Sequence, residues 1–137
     1  MLRRKAKQHY QTNQHSKMSV QAELISEMRI PDCYLRSDIE RVVNRSEAPT
    51  CPVIVFINSR SGGQLGARLL QTYRNLLNRS QIFDLHDEAP DQVLSKLVGH
   101  LERLKADGLK FVAEIRDNMR IIVARGDCWV VLYSFHD

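Results

Sequence analysis

The second part of the sequence predicts an α/β fold of three layers, in which helices cover both faces of a parallel sheet. Two observations carry this prediction. After Pro49, short apolar runs rich in β-branched residues alternate with segments whose apolar residues recur at helical spacing, and this alternation is typical of βαβ units. Two of the apolar runs also lead into glycine-containing turns, which in open α/β sheets are placed at the ligand-binding edge.

The most distinct strand is predicted at residues 53–57, where Val-Ile-Val-Phe-Ile forms a continuous apolar run. A run without polar alternation is typical of a strand that is buried on both faces of a parallel sheet. The glycine loop, defined as residues 58–66 with the sequence Asn-Ser-Arg-Ser-Gly-Gly-Gln-Leu-Gly, follows this strand. The next segment predicts a helix whose apolar face comprises Leu69, Leu70, Tyr73, Leu76 and Leu77.

The same unit is then repeated along the chain. A second strand is predicted at residues 81–86, and Pro90 begins a helical pattern that stops at Gly108. A third strand is predicted at residues 119–124 and runs into a second turn at Gly126. Because the carboxyl ends of parallel strands meet at one edge of a sheet, both glycine-containing turns are expected on that edge.

The first 48 residues differ from the rest in composition. Residues 1–18 contain five Lys or Arg and no Asp or Glu, which predicts a basic flexible arm, either solvated or in weak contact with anionic lipid. Residues 19–48 predict a helical lead-in, since Val20, Leu24 and Met28 recur every four residues and Ser37 begins a Ser-x-x-Glu capping box. Residues 49–137 then form the predicted α/β domain.

Composition excludes several classes of function. The three cysteines are widely spaced, without a C-x-x-C pair, so neither a zinc site nor a redox motif is indicated. No signal peptide and no apolar run of about 18 residues is present, which predicts a cytoplasmic protein with at most peripheral membrane contact. Because residues 1–18 contain no acidic residue, a mitochondrial targeting segment is an alternative interpretation of them, although these residues show no clear amphipathic face. The net charge of +4 is mild and is not concentrated on a predicted helix, so no nucleic-acid partner is expected.

On local chemistry alone, the glycine loop has two interpretations. A glycine turn between a strand and a helix exposes backbone N–H groups and the positive end of the helix dipole, which favours phosphate. Gly62 and Gly63 allow close approach, Ser61 offers a hydroxyl and Arg60 a positive charge. The loop is neither a Walker A motif nor the dinucleotide fingerprint. A turn that only reverses the chain is therefore the alternative.

The motifs of residues 51–127 resemble the start of the catalytic domain of plant diacylglycerol kinases. They are Pro-Val-Ile-Val-Phe-Ile-Asn-Ser-Arg-Ser-Gly-Gly-Gln-Leu-Gly, Phe-Asp-Leu and Ala-Glu-Ile-Arg-Asp-Asn-Met-Arg-Ile-Ile-Val-Ala. The resemblance implies the N-terminal lobe of a diacylglycerol kinase/NAD kinase-like fold and ATP-dependent phosphorylation of diacylglycerol, with ATP and Mg²⁺ as cofactors and a membrane surface as the place of the substrate. It further implies a nucleotide site that comprises Asn58, Ser61, Gly62, Gly63, Gly126 and Asp127, with no catalytic or metal-binding residue within this chain.

The chain departs from the family pattern at residues 125–129. The family's Gly-Gly-Asp-Gly-Thr turn is replaced by Arg-Gly-Asp-Cys-Trp, and the family's second lobe does not follow. Cβ atoms and bulk then stand where the family's backbone touches nucleotide. We therefore expect the chain by itself to be an inactive, incomplete form, as a frame or splice-junction change would produce. The alternative is a non-catalytic half-domain that acts as an interaction or regulatory protein.

Overall fold

A four-stranded sheet forms the centre of the fold in the computed structural model, which describes residues 19–37, 47–125 and 128–134. The strands are β1 (Val53–Asn58), β2 (Ile82–Asp84), β3 (Arg120–Arg125) and β4 (Cys128–Ser134), and their order in the sheet is β2-β1-β3-β4. Strand β1 pairs in parallel with both β2 and β3, which confirms the predicted parallel sheet. Strand β4 pairs antiparallel with β3.

Helices cover both faces of this sheet. Residues 19–28 are helical and are called α1; the other helices are α2 (Leu65–Leu76), α3 (Pro90–Ala106) and α4 (Val112–Asn118). Short 3₁₀ turns lie at Asp32–Tyr34 and Arg79–Gln81. The predicted α/β class with three layers is confirmed.

The central strand β1 explains how one segment supports two hydrophobic cores. Its side chains alternate between the faces, and residues 53–57 are at most 1% exposed. Ile54 and Phe56 pack on the side of α3 and α4, whereas Val53, Val55 and Ile57 pack on the side of α2. Burial on both faces is the reason that this strand contains no polar residue before Asn58.

Several predicted elements differ from the observed ones. Strand β2 begins at Ile82 because the preceding residues form a 3₁₀ turn, in which the Asn78 side chain accepts a hydrogen bond from the Ser80 N–H. Helix α4 was not predicted, since its two turns bury only Val112 and Ile115 and therefore show no helical periodicity. Strand β4 was not predicted either. In α2, Leu70 is buried, but Leu76 is 41% exposed, unlike the prediction.

The lead-in segment is attached to the sheet by a buried glutamine. Gln81 is fully buried; its side-chain oxygen accepts a hydrogen bond from the Ile30 N–H (3.1 Å), and its amide nitrogen donates to the carbonyls of Met28 (3.0 Å) and Val53 (2.7 Å). The predicted α1 is confirmed, although Val20 and Leu24 of the predicted stripe are exposed. The predicted arm at 1–18 and the capping-box helix after Ser37 lie outside the described residues, and the domain boundaries stay a prediction.

Candidate phosphate-binding site

The glycine loop begins as a turn that Asn58 closes on itself. The Asn58 carbonyl accepts hydrogen bonds from the Ser61 N–H (3.2 Å) and the Ser61 hydroxyl (2.9 Å). The Asn58 side-chain oxygen accepts a third hydrogen bond from the Arg60 N–H at 3.1 Å. Asn58 and Ser61 thus shape the loop, and the Ser61 hydroxyl that the sequence suggested for phosphate is hydrogen-bonded to the backbone.

The two glycines supply the part of the loop that faces outward. Gly62 and Gly63 both have φ of +64°, the left-handed conformation that glycine adopts without steric cost. Within the described part of the chain, the N–H groups of Gly62, Gly63 and Gln64 make no hydrogen bond. All three residues are exposed and immediately precede α2. Exposed N–H groups at a helix N-terminus are suited to an anion.

The start of α2 lies directly against the end of β1, and Gly66 makes this possible. Gly66 is buried in the first turn of α2. A Cβ atom at this position would overlap the Asn58 carbonyl oxygen and lie 3.0 Å from the carbonyl carbon and oxygen of Ser59. Gly66 stands out in the sequence only as part of a motif; this contact could not be predicted because the partner atoms belong to the end of the strand on which the helix folds back.

Asp84, at the carboxyl end of β2, holds the other side of the loop and was also missed. Asp84 is only 8% exposed, and its carboxylate accepts hydrogen bonds from the Ser59 N–H (3.3 Å) and the His86 N–H (3.0 Å). Burial by itself raises the pKa of Asp84, but hydrogen bonds from the Ser59 hydroxyl and from the Ser59 and His86 N–H groups, together with the His86 charge, hold it below the ordinary value.

The carboxyl ends of the three parallel strands meet at one edge, as predicted. Asn58 of β1 is the register partner of Arg125 of β3, so the backbone that leads to Gly126 lies beside the start of the glycine loop. Gly126 and Asp127 themselves lie outside the described residues, and their assignment to the site stays a prediction. Cys128 pairs with Arg125 in the antiparallel β4, so that β3 is followed by a strand and not by a second phosphate-facing helix.

Other features of the described residues lie apart from this site. A cavity of about 500 Å³ lies between α3 and residues 35–37 and contains none of the predicted site residues. Among the described residues, no group of three or more His, Cys, Asp or Glu side chains is placed to bind a metal ion. In the same part of the chain, none of the helices combines the length and the apolar character needed to cross a membrane.

Comparison with curated proteins identifies the family. The chain is 51% identical over 105 residues to diacylglycerol kinase 1 of Oryza sativa subsp. japonica and 47% identical over 108 residues to diacylglycerol kinase 5 of Arabidopsis thaliana; each alignment covers 77% of this chain. The chain belongs to the diacylglycerol kinase family. The relation extends to an animal diacylglycerol kinase, the human theta protein, which is 35% identical over 74 residues and 53% of this chain.

The similarity to diacylglycerol kinases concerns a limited part of these proteins. The chain spans about a fifth of the length of the two plant relatives, 21% of each, and 7% of the human theta protein. No family model matches the chain, and no solved structure matches it.

Proposed function

We propose that the glycine loop binds the phosphate groups of ATP within the N-terminal part of a diacylglycerol kinase catalytic domain. The observation that carries the proposal is the pair of left-handed glycines, which leaves three N–H groups exposed at the start of α2, at the carboxyl edge of the parallel sheet. Sequence similarity to diacylglycerol kinases over 77% of the chain supplies the identity of the anion, since kinases transfer phosphate from ATP.

The predicted site residues divide into two roles under this proposal. Gly62 and Gly63 donate backbone hydrogen bonds to the phosphates, whereas Asn58 and Ser61 hold the turn in shape through the contacts described above. Gly126 and Asp127 would approach the nucleotide from β3, whose last residue is the partner of Asn58. The parallel sheet order is compatible with the lobe of a diacylglycerol kinase/NAD kinase-like fold, which we propose as its fold class.

The proposed acceptor substrate is diacylglycerol, and the product is phosphatidic acid. Diacylglycerol is a membrane lipid, so the protein would act at a membrane surface, where the basic residues 1–18 would favour anionic lipid. In the described part of the chain, no group of three or more His, Cys, Asp or Glu side chains is placed to hold Mg²⁺, and the Asp84 carboxylate is engaged by Ser59 and His86. Under this proposal, Mg²⁺ would be held mainly by the phosphates of ATP.

The 137-residue chain by itself is expected to bind ATP weakly and to transfer no phosphate. Phosphoryl transfer depends on positioning and on charge neutralisation from several sides of the phosphate, and the described residues supply one side. A single phosphate contact with a few hydrogen bonds contributes about 4 kcal/mol, equal to roughly millimolar affinity. Phosphatidic acid production by this chain in vesicles that contain diacylglycerol would contradict this expectation.

A titration with magnesium-ATP, followed by the amide resonances of the loop, tests the phosphate site. Gly63→Val should weaken binding at least tenfold, because a β-branched residue disfavours φ of +64° and would change the direction of the free N–H groups. Gly108→Val is the matched control, since Gly108 also has positive φ and open space around its Cβ position but lies after α3. Equal affinities of the two variants would contradict the proposal.

The second candidate function is non-catalytic binding to another protein, and the edge strands of the sheet favour it. Within the described residues, β2 and β4 each pair with a neighbour on one side only, and an open strand edge can accept a strand from another chain. Absence of any magnesium-ATP binding, together with self-association in analytical ultracentrifugation, would favour this alternative.

A further inference from the structure

The glycine loop is connected to a neighbouring strand by one acidic side chain. The Asp84 carboxylate accepts a hydrogen bond from the Ser59 backbone N–H at 3.3 Å. Asp84 is itself well fixed, because β2 pairs with β1 up to Ile57↔Asp84 and the Leu85 N–H donates to the Ile57 carbonyl at 2.9 Å. The loop is thus fastened across the sheet as well as along the chain.

We propose that Asp84 is a positioning residue for phosphate binding, which sets the direction of the free N–H groups by holding Ser59 against the end of β2. This inference rests on the proposed phosphate site. Ser59 directly follows Asn58, the last residue of β1, and lies within the turn that Asn58 closes with Arg60 and Ser61. A rotation of the backbone at Ser59 would therefore change the course of the chain toward Gly62 and Gly63.

The close contact at Gly66 limits the positions that Ser59 can take. The start of α2 rests on the carbonyl groups of Asn58 and Ser59 at a distance that only glycine permits, so that Ser59 lies between α2 on one side and Asp84 on the other. The hydrogen bond to Asp84 is charge-assisted and is stronger than one to a neutral acceptor. It keeps Ser59 in place without occupying any of the three N–H groups available to phosphate.

The negative charge of Asp84 by itself opposes phosphate binding. Variants at position 84 can therefore separate the effect of holding Ser59 in place from the effect of the charge. Asparagine at position 84 keeps an oxygen that accepts from the Ser59 and His86 N–H groups but removes the negative charge. Alanine removes the charge and the acceptor. Asp87 is exposed and lies three residues further along the chain, so Asp87→Asn removes the same charge without touching Ser59.

The test is a titration of four forms of the chain with inorganic phosphate and with magnesium-ATP, followed by the amide resonances of Gly62 and Gly63. The wild type, Asp84→Asn and Asp87→Asn should bind with affinities that agree within about threefold, whereas Asp84→Ala should bind at least about tenfold more weakly. The amide resonances report binding to folded molecules only. A thermal unfolding curve of each sample then measures its stability separately. Rescue by asparagine is a result that loss of stability alone would not produce.

Spectra without ligand test the positioning itself. The Gly62 and Gly63 amide resonances should move in Asp84→Ala and stay in place in Asp87→Asn. If the wild type binds neither phosphate nor magnesium-ATP, the proposed function fails, while displaced loop resonances would still support the role of Asp84 in holding the loop.

If Asp84→Ala does not fold, Asp84→Leu replaces it, since leucine keeps the volume of the buried side chain but has no acceptor for the Ser59 N–H. It should also weaken binding at least about tenfold and move the same resonances. Wild-type affinity and unmoved loop resonances in either the Asp84→Ala or the Asp84→Leu variant would overturn the inference.

Discussion

The contact between Gly66 and the end of β1 leads to a sharp prediction about Gly66→Ala. In most helices this substitution stabilises, by up to about 1 kcal/mol, because alanine restricts the unfolded chain and favours the helix. Here the added methyl group would overlap the Asn58 carbonyl oxygen, and the other close atoms, at 3.0 Å, belong to the Ser59 backbone. Backbone atoms cannot rotate away as the end of a flexible side chain can.

The expected magnitude follows from the movement that the methyl group requires. To restore a contact of about 3.5 Å, the start of α2 must withdraw from β1 by more than about 1 Å. That movement would open the packing of Leu70 in the core between α2 and the sheet. Overpacking of this kind costs about 1–3 kcal/mol and occasionally more, so we expect Gly66→Ala to lower the free energy of unfolding by about 2–4 kcal/mol.

Gly99→Ala provides the matched control for this measurement. Gly99 lies within α3, and the nearest atom to its Cβ position is the end of the flexible Arg103 side chain at 3.7 Å. We expect this variant to be more stable than the wild type by about 0.5–1 kcal/mol. Urea unfolding followed by circular dichroism would measure both changes, provided that the m-values agree. Equal stabilities of the two variants would refute the packing argument at Gly66.

Two further predictions concern buried polar side chains. Gln81→Leu should lower the free energy of unfolding by about 3 kcal/mol, because leucine leaves the buried Ile30 N–H and Val53 carbonyl without their partner. As a control, Gln71→Leu at an exposed position should change the free energy of unfolding by less than about 0.5 kcal/mol. Urea unfolding would measure both variants. Burial, with a smaller contribution from the Cys33 charge, raises the pKa of Tyr34 to about 12 from 10.0. The stability that the neutral Tyr34 side chain contributes is therefore complete below pH 10 and is lost as the pH rises towards 12, by about 2–3 kcal/mol. A Tyr34→Phe variant that loses as much stability as the wild type between pH 10 and pH 12 would contradict this.

Much of the fold could be predicted because its signals are local. Residues 53–57 are apolar without interruption, and such a run has few alternatives to a strand covered on both faces. Helix α3 shows its buried face as a regular spacing over 17 residues. By contrast, α4 is only seven residues long and β4 pairs with β3 through a register that the sequence does not display, so neither has a periodic pattern long enough to recognise.

The sequence by itself determined where the loop lies: two adjacent glycines after a buried strand and before a helix predict a tight turn with exposed N–H groups, for which we propose phosphate as the ligand. Only the tertiary structure decided what holds that turn in place. Asp84 reaches Ser59 across 25 positions of the chain, and Gln81 reaches Ile30 across 51. Gly66, although close in sequence to Asn58, touches it only because α2 folds back on β1. Such contacts depend on how strands and helices pack together, and a pattern within one segment carries no information about them.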